Sequence, residues 1–345
     1  MPKPQLSLWA AAARAYRLRW KRRRLLFRIL RKRHEIRPAA DRTHLIRPGA
    51  VLAFCCVHNE ALRLPYFLAH YRALGVAHFL FVDNSSDDDT AALLRDQPDV
   101  SLWQTDASYR LARFGMDWLG WLHLRFGHGH WCLTVDADEL LIYPEHDTRG
   151  LPDLADWLSR QGRRSFGALM LDMCPKGAVT QSDVDAGTNP LDAIPYFDAT
   201  HYRSRWHPAY GNLWIQGGVR ERVFFGPAPE RAPTLNKTPF VYWNRRFAYV
   251  SSTHQIVPPR LHDVFAPPGQ NRMTGVLLHT KFLPDIAERS REAISRRQHF
   301  ENSALYDSYY RSLMQGPDLW NPQSRRYEDW RQLVDLGLMC REEWV

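Results

Sequence analysis

The sequence predicts an α/β fold: a mononucleotide-binding mixed sheet flanked by helices, with a basic helix ahead of it and further helices behind. Three observations predict this. From Val51 onward, apolar runs of strand length alternate with segments of helical periodicity. Several of those runs hand over directly to acidic and amide side chains. Lys and Arg are crowded ahead of the first run.

The segment Leu6 to His34 lacks Gly and Pro and is rich in Ala, Leu and Arg, so it is expected to be helical. Trp9, Ala13, Tyr16 and Trp20 recur at helical spacing, followed by Leu26, Phe27, Ile29 and Leu30, with Lys21 to Arg24 and Arg31 to Arg33 between and after them. Such a stripe beside Arg clusters suits an interfacial helix on an anionic leaflet; a solvated basic arm and a nucleic-acid contact are the other readings. Pro38 and Pro48 are expected to bracket a linker. Val51–Val57 reads as a buried parallel strand. Glu60 to Leu74 reads as a helix ended by Gly75, and His78–Val82 as a second buried strand. Asp87 to Leu94, with acids in its first turn, reads as the next helix. Val100–Trp103 is then a strand, Phe114 to Phe126 a helix and Trp131–Val135 a strand. This order predicts a doubly wound sheet, on which ligands bind beyond the carboxyl ends of the strands. Leu151 to Arg160 reads as a helix and Ser165–Leu171 as a strand. From Asp183 to Arg272 the chain is rich in Pro, Trp, Tyr and Arg, predicting short strands and functional loops; Ile286 to Phe300 and the C-terminal stretch read as helical.

With 345 residues, 45% of them hydrophobic, the chain can fill a large core. Its net charge of +9 is uneven. Lys3 to Arg37 holds 13 Lys/Arg against one acid, Glu35, whereas the rest has 33 bases against 36 acids. Attraction to polyanions therefore belongs to that segment alone, and nucleic acid is not expected as a partner of the body. The five cysteines form no C-x-x-C pair and suit a reducing compartment. No run approaches the roughly 18 apolar residues of a membrane span. A cytoplasmic protein, peripheral at the inner membrane face through residues 1–37, is the expectation.

The strands end in chemistry. His58-Asn59-Glu60 follows the first, Asp83-Asn84-Ser85-Ser86-Asp87-Asp88 the second, and Asp136-Ala137-Asp138-Glu139 the fourth. Carboxylates at such positions can accept hydrogen bonds from a nucleobase edge or ribose hydroxyls. Two carboxylates at i and i+2 beyond a strand can also share a hard divalent cation, which would bridge a diphosphate.

Taken together, Cys56-Val57-His58-Asn59-Glu60, Val82 to Asp88 and Val135-Asp136-Ala137-Asp138-Glu139-Leu140 resemble the family 2 type of bacterial glycosyltransferase, with its GT-A fold. The resemblance is strongest over residues 51–143 and thinner to about Phe282. It implies inverting transfer from a nucleotide sugar, usually a UDP sugar, with Mn²⁺ or Mg²⁺, onto a glycan or lipid-linked acceptor in surface polysaccharide synthesis. Carried over by position, Asn59, Glu60, Asp83 and Asp136 would contact the nucleoside, and Asp138 would bind the metal with help from Asp136. A later His279 and Lys281 would serve the metal and the diphosphate. The family's general base has no clear counterpart. Gly217-Gly218-Val219-Arg220-Glu221 resembles its "GGFDE" loop with Arg in place of Asp, leaving Glu221 and Asp172 as candidates. Trp206, Tyr210, Trp214 and Trp243 could stack on acceptor sugars.

The expected organisation is a helix and linker over 1–45, a GT-A domain over 46–285 with nucleotide (46–150) and acceptor (151–285) halves, and a helical region over 286–345. Two rivals are weaker. A phosphohydrolase of the haloacid dehalogenase type needs its D-x-D on the first strand with Thr where Leu140 stands. A non-catalytic adaptor for membrane or nucleic acid gives no use to the acidic clusters.

Overall fold

A computed structural model describes residues 6–179, 184–265, 271–296 and 303–344, apart from the side chains of 293–296 and 303–308. The chain opens with helix α1 (Leu8–Lys32), capped by the Ser7 hydroxyl, and continues into strand β1 (Arg37–Ala40). Then follow β2 (Leu52–Val57), α2 (Leu64–Ala73), β3 (His78–Asp83), α3 (Thr90–Arg95), β4 (Val100–Gln104), α4 (Met116–Leu122) and β5 (Trp131–Thr134). After a short turn come β6 (Glu139–Ile142), α5 (Leu151–Arg160) and β7 (Ser165–Asp172). The next stretch holds α6 (Pro190–Ala193), β8 (Tyr196–Asp198), β9 (Arg203–His207), β10 (Asn212–Gln216) and α7 (Gly218–Phe224). It continues with β11 (Asn236–Tyr242), β12 (Ala248–Ser251), β13 (Gln255–Val257) and β14 (Gly275–His279). The chain closes with α8 (Ile286–Arg296), α9 (Ser303–Met314), β15 (Ser324–Arg326) and α10 (Trp330–Asp335).

Nine strands form one mixed sheet in the order β1-β4-β3-β2-β5-β11-β7-β14-β6. The segment from β2 to β5 is parallel, as the alternation of apolar runs and helices requires. The doubly wound expectation holds only there. β1, β11 and β6 run antiparallel to their neighbours, whereas β14 is parallel to β7. The two-sided burial of the central strands explains their unbroken apolar runs. Val51, Ala53, Cys55 and Val57 face one core with α2 and α5; Leu52 and Phe54 face a second core with α4. β3 repeats the alternation with Phe79 and Phe81 against Leu80 and Val82.

Several boundaries differ from expectation. Pro38 opens no linker: β1 pairs antiparallel with β4 at the sheet edge, where the missing N–H of proline is tolerated. The helix expected from Glu60 starts at Leu64, just ahead of Pro65, and the one expected from Asp87 starts at Thr90. In both cases the polar residues form the turn instead. Asp88 accepts a hydrogen bond from the Thr90 N–H at 2.9 Å. The helix expected to reach Phe126 changes at His123 into one π turn, His123–Gly127. Residues 297–300 of the expected last long helix lie outside the described residues.

α1 is docked on the body, not free of it. Leu18, Leu25 and Ile29 are buried, and Ile29 packs so closely on Gly120 of α4 that a Cβ there would lie 2.6 Å from its methyl. Arg28 and Arg113 both reach the fully buried Asp117, at 2.6 and 2.7 Å.

His123 ties the second core together. Its ring lies between Phe54 (centroids 3.9 Å apart) and Trp243 (4.1 Å). Nδ1 donates to the Leu119 carbonyl at 2.7 Å, so Nε2 accepts from the Thr134 hydroxyl at 2.9 Å. Burial pushes this imidazole down from 6.5 to about 3, against the small opposing effect of the Leu119 bond. The folded protein thus holds His123 neutral while the unfolded chain protonates it. Its contribution is complete above pH 6.5 and drains away as pH falls toward 3. Denaturant unfolding should show a stability loss on the order of 2 kcal/mol from this residue by about pH 4.5. That part of the slope should vanish in His123→Phe.

Candidate functional site

One edge of the sheet collects the polar strand ends. The carboxyl ends of β2, β3, β5, β7 and β14 meet there with the amino ends of the antiparallel β11 and β6. Three strands, β11, β7 and β14, stand between β5 and β6 in the sheet. The connection from β5 to β6, residues 135–138, must therefore run across their ends. That crossing puts Asp136 beside Lys237 at the start of β11 and Asp138 beside His279 at the end of β14.

The contacts follow from this path. Lys237 Nζ donates to Asp136 Oδ2 at 3.1 Å and to Glu139 Oε1. Lys237 and Glu139 are both nearly inaccessible to solvent, whereas the Asp136 side chain is 48% exposed. Burial alone would lower the Lys237 ammonium; Asp136 and Glu139 outweigh it and keep the group charged. Asp138 Oδ2 lies 3.2 Å from His279 Nε2. The other ring nitrogen, Nδ1, donates to Asp172 Oδ1 at 2.7 Å, and β7–β14 pairing sets His279 opposite Asp172. Arg220 Nε donates to the second oxygen of Asp172 at 2.8 Å. Burial acts to raise the Asp172 carboxyl, but Arg220 and His279 hold it at about 2. Burial likewise opposes ionisation of Asp138, and His279, Arg63 and Lys281 keep it far below the usual carboxylate range. His279 itself is raised: Asp138 and Asp172 overcome the effect of burial.

Glycine decides which side chain α7 offers this network. Gly217 (φ 141°) and Gly218 (φ 71°) open the helix, and a Cβ on Gly217 would lie 2.7 Å from the His201 carbonyl oxygen. The turn they permit buries Arg220 against Asp172 and points Glu221 elsewhere. Glu221 pairs with Arg203 of β9 and does not line the cleft.

These groups line a cleft of about 660 Å³. Asp136, Asp138, His279, Arg220, Lys281 and Glu60 contribute to its walls, with Trp214 of β10 and Glu230 on the turn after α7. α8 adds Arg289, which donates to Glu60 and to the Asn59 carbonyl at 2.8 Å, and Glu292, which pairs with His58. Arg63 binds Asp285 through two bonds of 2.7 and 2.9 Å.

Asp136, Asp138, His279, Lys281, Glu60 and Asp172 are thus brought together, and Asn59 and Asp83 are turned to local work. Asn59 (φ 53°) donates to Asp87 at 2.6 Å and accepts from its N–H at 3.0 Å. Asp83 is buried, caps the Ser86 N–H and hydroxyl with one oxygen and accepts from Gln104 with the other. Lys237, Arg220 and Arg289 are functional candidates that the sequence reading missed. Lys237 sits inside a stretch rich in loop signals, and Arg289 in a helix whose charges read as solvated.

Ligand atoms of Asp138, Glu139 and His279 lie within 4.8 Å of one another. The donor types fit a divalent cation that accepts both oxygen and imidazole nitrogen. The Asp172 bond to Nδ1 leaves Nε2 as the ligating atom, an arrangement typical of metal-bound histidine. Glu139 is the weakest of the three donors, since Lys237 engages one oxygen and the Asp136 N–H donates to the other at 3.3 Å.

No family model matches the chain, and no curated protein does. Among solved structures it is similar to the mannosyltransferase PcManGT from Pyrobaculum calidifontis, a complex with GDP-Man and Mn²⁺: 22% identity, TM-score 0.26, 49% of this chain and 46% of that one. The chain therefore spans about half the length of that protein. It is also similar to a Bacillus anthracis protein named as a glucose-1-phosphate thymidylyltransferase, in complex with sucrose: 8% identity, TM-score 0.29, 76% of this chain and 83% of that one. At these TM-scores neither likeness bears on what this chain does.

The Lys237–Glu139 pair yields a test of the architecture. Lys237→Met strands a buried carboxylate and should cost about 3–5 kcal/mol in denaturant unfolding. Lys237→Met with Glu139→Gln should recover a large part of that loss.

Proposed function

We propose that the protein is a divalent-metal-dependent glycosyltransferase that moves a sugar from a nucleotide donor, a UDP sugar first among them, to a glycan or lipid-linked acceptor with inversion. The observation that carries the reading is the crossing segment 135–138. It delivers Asp138 to His279 within a cleft that also presents Arg220, Lys281 and Arg289. A pair of metal donors amid three cations suits a diphosphate, which needs both bridging and neutralisation. The family 2 motifs around Asn59, Asp83 and Asp138 point the same way.

In this reading Asp138 and His279 hold the cation, which would supply charge stabilisation to the departing nucleoside diphosphate. The mixed donor set favours Mn²⁺ over Mg²⁺. Asp172 is a positioning residue that fixes the ring and tautomer of His279. Lys281 and Arg289 contact the diphosphate, and Glu60 and Asp136 the nucleoside side of the cleft. Trp214 offers the acceptor an aromatic face, and its buried Nε1–H has no hydrogen-bond partner among the described residues. The base that deprotonates the acceptor hydroxyl is Glu230, whose exposed carboxylate lines the cleft. Asp172 is too acidic and already doubly engaged; Glu221 is paired with Arg203.

Calorimetric titration of UDP tests the proposal. Binding should require Mn²⁺, disappear with EDTA and disappear in Asp138→Ala; metal-independent binding would remove the role of Asp138. Asp172→Asn should weaken Mn²⁺ affinity about 10- to 100-fold without abolishing it. Once a donor is found among UDP and other nucleotide sugars, Glu230→Gln should lose transfer and keep donor binding. Unchanged turnover in that variant would rule Glu230 out as base.

A further inference from the structure

Helix α1 has two apolar faces, and the body covers only one. On the covered face, Leu18, Leu25 and Ile29 pack with Tyr210, Ala248 and Val257. On the opposite face, Trp9 (87% exposed), Tyr16 (62%), Trp20 and Phe27 (63%) form a stripe at intervals of seven, four and seven residues, which keeps them on one line of the helix. Tyr16 and Trp20 meet edge to face at 6.3 Å, and the Arg23 guanidinium lies 5.1 Å from the Trp20 ring. Arg17, Arg19, Arg23, Arg24 and Arg31 are exposed along its flanks, and α1 contains no acid.

A soluble helix that already buries one face has no folding reason to carry a second line of aromatics. The chemistry of the outer face is specific: large amphipathic rings for the headgroup zone, bordered by guanidinium groups and free of carboxylates. We propose that the outer face of α1 docks the protein on an anionic lipid bilayer, the helix lying in the plane of the surface. The charge on the helix rules out spanning, and no described helix is long and apolar enough to cross a membrane. Charge complementarity selects lipid phosphate headgroups over a neutral surface.

Docking here differs from tethering by a loose arm. The Ile29–Gly120 contact and the Arg28–Asp117 ion pair make α1 continuous with α4. Lys21 donates to the Tyr210 hydroxyl, and Arg14 packs over Gly211 at the turn between β9 and β10. That hairpin carries Trp214 into the cleft. A membrane bound through α1 therefore holds the cleft wall at a fixed angle to the surface, independently of which substrate the cleft takes.

Co-sedimentation of the full-length protein with vesicles tests this. The protein should pellet with phosphatidylcholine–phosphatidylglycerol vesicles, stay in solution with phosphatidylcholine alone, and release as salt is raised. Trp9→Glu with Trp20→Glu should reduce binding at least about tenfold with no change in thermal unfolding, because both side chains are solvent-facing. Arg23→Gln with Arg24→Gln and Arg31→Gln should remove the salt-sensitive part. Equal binding to neutral vesicles, or binding untouched by the aromatic variant, would overturn the proposal. So would a wild-type protein that ignores vesicles but is a dimer on gel filtration and becomes monomeric in the Glu variant, since the stripe would then belong to a second copy.

Discussion

The arrangement rests on one buried ammonium. Lys237 stands at the start of an antiparallel strand, where the chain must bring a run of carboxylates across the edge of the sheet. Glu139, 1% exposed, cannot remain ionised there without a counter-charge, and Asp136 needs a fixed partner to stay at the strand ends. Taking Lys237 and Glu139 out of water is costly, and a hydrophobic substitute of equal volume could match the stability. What such a substitute could not supply is direction. With Lys237 in place, the crossing segment follows one path, and Asp138 arrives opposite His279.

The positive groups of the cleft sit in a body whose overall charge is slightly negative. Arg220 is balanced locally by Asp172 and Arg289 by Glu60, as Arg63 is by Asp285, whereas Lys281 lies over the Tyr309 and Tyr310 rings. Three pairs join α8 and Asp285 just ahead of it to the loop after β2, counting His58 with Glu292. That side of the cleft is therefore held by ion pairs around a small apolar anchor at Ile286, whereas the floor is a fully buried sheet. Added salt will weaken the former and leave the latter alone.

Much of this was legible in the sequence, for local reasons. The parallel strands announced themselves because burial on both faces demands apolar residues at every position, and the strand-end acids because they interrupt those runs abruptly. His279 stood out in the same way. What was not legible depends on distance along the chain. Lys237 meets Asp136 across 101 residues and Arg289 meets Glu60 across 229, and no pattern within a window encodes either pairing. Asn59 and Asp83 show the converse. Their positions mark a ligand-facing edge, but amide and carboxylate side chains also close turns, and here that local use takes their hydrogen bonds. β1 was missed because Arg-Pro-Ala-Ala carries no strand signal; only an open sheet edge makes it one.

The pairing of β14 has a further meaning. His279 stands opposite Asp172 on one side and Glu139 on the other. A slip of a single residue would turn its ring to the opposite face of the sheet, taking from the buried Asp172 one of its two partners and from Asp138 the imidazole beside it. The polar edge is thus a checksum on assembly: only molecules whose late central strand has locked in correctly bring Asp138, His279 and Asp172 into one network. Any ligand held by that network would stabilise only those molecules, so its occupancy would sort well-folded copies from misaligned ones.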